Sequence, residues 1–128
     1  MTRTQTMLAW VAQLVAGGIL GLAGLMKLMA QPASIALFQE LGAEPWGRYL
    51  VGLAELTAAV LLLIPATAAR GGILALVLMA GAMGTHLFRI GINYNGDGGS
   101  LFGMAVTVAM AAGAVALLRG RTDRRVDG

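Results

Sequence analysis

Four apolar runs dominate this sequence and leave few folds open to it. They cover residues 7–26, 46–64, 71–88 and 101–118, each 18 to 20 residues long. A bilayer hydrocarbon core of ~30 Å takes about 20 helical residues to cross, with ~17 as the lower limit. Each run is therefore long enough. Lipid offers no hydrogen bonds to the backbone, so each run is expected to cross as a helix. Composition closes the soluble alternative. Hydrophobic residues make up 58% of the chain and charged residues 12%, against roughly 25% charged in an ordinary soluble protein. Too few charges remain to cover the large relative surface of a 128-residue soluble domain. The absence of cysteine excludes a disulfide scaffold, and also iron–sulfur ligation, c-type haem attachment or thiol chemistry by this chain alone. The expected fold is all-α: one integral membrane domain over residues 1–128, a four-transmembrane-helix bundle followed by a basic tail over residues 119–128.

The joints between the runs fit this division. Pro65 ends the second run, and Arg70 marks a membrane surface. Residues 93–100 form a polar, glycine-rich turn. The longest connection, between Lys27 and Trp46, contains Pro32 and the apolar residues Ile35, Leu37, Phe38 and Leu41. It reads as a short helix lying in the interface, with a loop packed on the bundle as the alternative. A signal-peptide reading of the first run fails on length, since such apolar cores span 7–15 residues. Four crossings put both termini on one side. That side carries six of the nine Lys and Arg residues, which predicts cytoplasmic termini. Four of the six, Arg119, Arg121, Arg124 and Arg125, lie in the last ten residues, so the pI near 10.2 reflects topology and headgroup contact and not nucleic-acid binding. Small residues recur at four-residue spacing at Gly17 and Gly21, and again at Ala105, Ala109 and Gly113. Such rows let membrane helices pack closely or self-associate.

Ionisable residues at membrane depth carry the functional signal. Glu55 lies inside the second run, six residues after Tyr49, hence ~9 Å below the outer surface. His86 lies fifteen residues beyond Gly71, hence ~22 Å from the inner surface and ~8 Å from the outer one. Lys27 closes the first run, and Arg48 and Arg89 sit at the same rim. The matching depths predict one polar cluster of Lys27, Glu55, His86 and Arg48 in the outer half of the bundle. A bland reading stands beside it, in which Glu55 and His86 only tie helices together and Lys27 anchors the interface. Met79 and Met83 share a helical face with His86 and read as packing, not as haem ligands. Gln13, toward the inner side, reads as a helix–helix contact. Trp10, Trp46, Tyr49 and Tyr94 read as interfacial anchors.

The segments Gly24-Leu25-Met26-Lys27-Leu28, Phe38-Gln39-Glu40-Leu41-Gly42, Arg48 to Leu56 and Leu61 to Pro65, with Met79 to Ala82 and His86, together resemble DoxX-like proteins over about residues 17–90. The resemblance implies a small four-helix protein of the bacterial inner membrane. It also implies a setting near thiosulfate:quinone oxidoreduction or thiol-redox complexes. Lys27, Glu55 and His86 fall on polar positions of the family pattern. Two functions follow as expectations. One is a membrane subunit of quinone-linked redox metabolism, with partner subunits supplying electrons. The other is a non-catalytic assembly protein for a larger complex, with self-association through the small-residue rows as a further expectation. Permeation through the bundle is a weaker third, since repeats and broken helices are lacking.

Overall fold

The computed structural model describes the backbone of residues 1–127 and the side chains of residues 1–121. Its five α-helices are α1 (Arg3–Leu28), α2 (Pro32–Glu40), α3 (Trp46–Leu63), α4 (Ala68–Thr85) and α5 (Ser100–Asp127). No strand occurs among the described residues. α1, α3, α4 and α5 are long and apolar enough to cross a membrane. They neighbour one another in that order around the bundle, and α5 returns to α1. Chain order and spatial order therefore coincide, as in an up-down-up-down bundle with antiparallel neighbours.

Local chemistry sets the helix ends. Thr2 caps α1: its side chain accepts from the Gln5 amide at 3.1 Å, and the Gln5 side chain accepts from the Thr2 amide at 3.0 Å. Pro32 opens α2, where a missing N–H costs nothing. Phe38 is the buried residue of α2 and packs near Gly47 at the start of α3. α2 is thus the helix expected in the long connection. Beyond α4 the chain widens into a π turn over His86–Ile90, which Gly91 ends at φ 83° by donating its amide to the His86 carbonyl at 2.7 Å. Glycine reaches this left-handed backbone without a Cβ penalty.

The interior is built of small side chains. Ala16, Ala58, Ala75 and Ala112 are fully buried beside Leu20, Leu62, Val108 and Val115. Large apolar residues face outward instead, among them Leu14, Leu53, Val77 and Met110. In lipid, close approach of helices drives packing, while outward leucines meet acyl chains at no cost. The chain is accordingly a multi-pass membrane protein in contact with the bilayer.

Two sequence expectations need adjustment. The row Ala105, Ala109 and Gly113 is not one packing face, because Ala105 is buried while a Cβ on Gly113 would meet nothing. The buried stripe of α5 runs instead through Ala105, Val108, Ala112 and Val115 to Arg119. Nor does a basic tail begin at residue 119. α5 continues through it, and the Arg119 side chain turns into the bundle. Arg121 is exposed, and the side chains of Arg124 and Arg125 lie outside the described residues.

Candidate functional site

Two glycines bring the site together. A Cβ on Gly24 would stand 2.7 Å from the Gly52 carbonyl oxygen, and one on Gly52 would stand 2.9 Å from the Lys27 Cβ. Only glycine permits so close a crossing of α1 and α3. One turn beyond Gly24 on α1 is Lys27, and one turn beyond Gly52 on α3 is Glu55. The crossing places their charged ends together, with Lys27 Nζ 2.8 Å from Glu55 Oε1. The Glu55 side chain is 5% exposed and that of Lys27 17%. The contact is a buried ion pair. Among the described residues no other donor reaches this oxygen.

Arg48, also buried, braces the pair from α3. Its Nη1 donates at 2.6 Å to the Lys27 carbonyl at the end of α1, an oxygen that also accepts from the Ala30 amide at 3.2 Å. Its Nε and Nη2 hold the Glu44 carboxylate at 2.9 Å, and its guanidinium lies 4.5 Å from the Tyr49 ring centroid. Every face of this guanidinium is thus occupied, so Arg48 fixes the backbone beneath Lys27 and has little capacity left for a ligand.

His86 is buried at the same end of the bundle but makes different contacts. Its Nδ1 lies 2.9 Å from the Gly91 carbonyl oxygen. A carbonyl only accepts, so Nδ1 is the donor. The ring meets Phe102 of α5 edge-on, with centroids 5.7 Å apart. Among the described residues no hydrogen bond or ion pair joins His86 to Lys27, Glu55 or Arg48. Its charged neighbour is Asp97, in the turn before α5. The Asp97 carboxylate accepts from the Gly99 amide at 2.8 Å and from the Leu101 amide at 3.2 Å. The Gly99 bond is the first cause holding its pKa below the usual carboxylate range; desolvation opposes it, and the Leu101 bond and His86 add to it. The π turn after α4 also reaches α2, where Arg89 Nη2 lies 3.4 Å from the Glu40 carbonyl. The polar end therefore consists of a Lys27–Glu55–Arg48 group between α1 and α3 and a His86–Asp97 group between α4 and α5.

A second buried polar pair lies toward the opposite end. Gln13 Nε2 donates to the Leu62 carbonyl at 2.8 Å, and Gln13 Oε1 accepts from Arg119 Nε at 2.8 Å. Gln13 is the helix–helix contact expected of it. Its arginine partner was not anticipated, although the three- and four-residue spacing of Ala105, Ala112 and Val115 leads to it. Trp10 is 37% exposed, and its ring centroid is 5.6 Å from the Arg119 guanidinium carbon.

No curated protein and no solved structure matches this chain. A family comparison does, over residues 11–117, a range that reaches into all four crossing helices and takes in Gln13, Lys27, Arg48, Glu55, His86 and Asp97 but stops short of Arg119. The chain belongs to the DoxX-like family.

Proposed function

We propose that this protein is a bacterial inner-membrane subunit, with both termini cytoplasmic, that serves quinone-linked or thiol/sulfur redox metabolism. In this reading a small polar headgroup is held at the Lys27–Glu55 pair in the outer half of the bundle. The observation that carries the reading is the pair itself. A carboxylate at membrane depth is disfavoured by roughly 2.5–3.5 kcal/mol, and here it is sheltered, paired once and served by no other donor.

The residues suit a quinone headgroup. Its carbonyl oxygens need donors, and the Lys27 ammonium has three, of which Glu55 occupies one. Glu55 is the group positioned to take or give a proton at that oxygen. Arg48 acts by holding the α1 end, and His86 belongs to the separate polar group between α4 and α5 at the same end. An apolar groove of about 260 Å³ on the outer face of α3, lined by Leu56, Thr57, Val60 and Leu61, offers space for a stretch of isoprenoid tail. A bound quinone would supply the two-electron chemistry and a partner subunit the electrons; the chain, with no cysteine, has no thiol to offer.

Titration of the protein in nanodiscs with a short-chain benzoquinone, followed by Trp fluorescence, tests the reading. Saturable binding is expected, weakened about tenfold by Glu55→Gln or Lys27→Met, in line with one charge-assisted hydrogen bond. His86→Ala is expected to weaken it less, and Arg121→Gln not at all. Absence of saturation, or indifference to Glu55→Gln, removes the quinone reading and leaves the assembly role, which co-purification of a partner complex from the native membrane examines.

A further inference from the structure

The opposite end of the bundle holds a cation without an anion. Arg119 is 8% exposed, and its Nη2 is buried without an acceptor among the described residues. Its Nε is already committed to Gln13, which is itself committed to the Leu62 carbonyl. A buried, incompletely paired guanidinium is costly. An arginine near the end of a crossing helix would ordinarily extend its head outward to water. Arg119 turns inward instead and sets one edge of its planar fork beneath the half-exposed Trp10 ring.

Depth identifies what reaches that edge. Arg119 lies nineteen residues beyond Ser100 on α5, or ~28 Å along the helix. That is one full crossing of the ~30 Å hydrocarbon core, at the level where headgroup phosphates begin. The acids Glu40, Glu44 and Asp97 are at the opposite end of the bundle, and Glu55 is paired with Lys27. Guanidinium forks match phosphoryl oxygens two at a time, and a neighbouring aromatic favours the same level.

From this we infer that Arg119, oriented by Gln13 and covered by Trp10, forms an inner-end site for a phosphoryl anion: the headgroup phosphate of an anionic lipid or free phosphate. Gln13 fixes the Nε edge, so the Nη edge is presented to the ligand. The Trp10 ring lies over the guanidinium, 5.6 Å from its carbon. Asp123, four residues on, is the competing internal anion on sequence grounds; its side chain lies outside the described residues.

The test uses the full chain in detergent. Retention of phosphatidylglycerol against phosphatidylcholine is measured by native mass spectrometry, and thermal stabilisation is measured with phosphatidylglycerol or with millimolar inorganic phosphate. Preferential retention is expected, reduced about tenfold by Arg119→Gln and unchanged by Arg121→Gln, the size of one lost charge-assisted contact. Stabilisation by phosphatidylglycerol alone assigns the site to lipid; stabilisation by inorganic phosphate assigns it to the free anion. Should Arg119→Gln fail to fold, Arg119→Lys replaces it: the charge stays, the fork is lost, and retention must fall relative to Arg121→Lys. Equal retention in wild type and Arg119 variants overturns the inference, as does a stability that depends on Asp123→Asn and on neither phosphate source.

Discussion

Removing one partner of the Lys27–Glu55 pair separates its two ends by cost. Glu55 sits nine residues inside α3, and its side chain is 5% exposed. It has no route to water when its cation is lost. Lys27 lies in the last turn of α1 with 17% exposure, and a flexible stem can carry its ammonium to the interface. Breaking a buried pair costs about 3–5 kcal/mol when the remaining charge stays trapped. Lys27→Met is therefore expected to destabilise by about 3 kcal/mol, the lower end because Lys27 is partly exposed. Glu55→Gln leaves a lysine that can withdraw and is expected to cost about 1 kcal/mol, the worth of one hydrogen bond. The double variant Lys27→Met/Glu55→Gln traps no charge and is expected to fall near the Glu55→Gln value, giving a coupling of about 3 kcal/mol. Reversible unfolding in mixed micelles, followed by Trp10 and Trp46 fluorescence, measures all three. If the double variant is as unstable as the sum of the singles, the side chains do not act as a pair and the argument from burial is wrong.

Other consequences are direct. Gly24→Ala forces a Cβ to 2.7 Å from the Gly52 carbonyl oxygen and is expected to cost about 1–3 kcal/mol by overpacking. Gly81→Ala, where a Cβ meets nothing within 4 Å, is expected to stabilise by about 0.5–1 kcal/mol through helix propensity; the same unfolding assay reads both. Gln13→Leu leaves Arg119 Nε without its acceptor, and a loss of about 1–3 kcal/mol is expected. Asp97 has a folded pKa below its ordinary 3.8, so it contributes stability above that value and loses it as pH falls through the lowered one. Asp97→Asn is expected to lower the melting temperature at neutral pH and to flatten this acid limb of the profile below about pH 4.

The crossing helices were legible because lipid imposes a single requirement, about twenty apolar residues per span, which these runs meet without ambiguity. Depth was legible too: a fixed rise per residue puts Lys27, Glu55 and His86 at one end. Azimuth was harder. His86 shares the level of Glu55 but is held by Gly91 and Phe102, because rise along two helices says nothing about which way each side chain faces. Buried stripes supply that angle. On α3, Arg48, Gly52, Glu55, Ala59 and Leu62 form one stripe, and on α5 Ala105, Val108, Ala112 and Val115 extend to Arg119. A count of basic residues by side hides Arg119 among exposed neighbours, whereas its three- and four-residue phase places it inward.

The Gly24–Gly52 crossing also bears on biogenesis. Lys27 leaves the ribosome twenty-eight residues before Glu55, an interval of roughly 1–6 s at ordinary elongation rates. Throughout that interval the Lys27 ammonium has no Glu55 carboxylate to pair with. The carboxylate that follows cannot settle at depth until the first segment lies flush against it. Correct docking of the nascent hairpin is thus coupled to charge neutralisation, so a polypeptide whose first two crossings fail to meet is left with an unneutralised acid in lipid, a defect that membrane quality control can detect before the remaining helices are made.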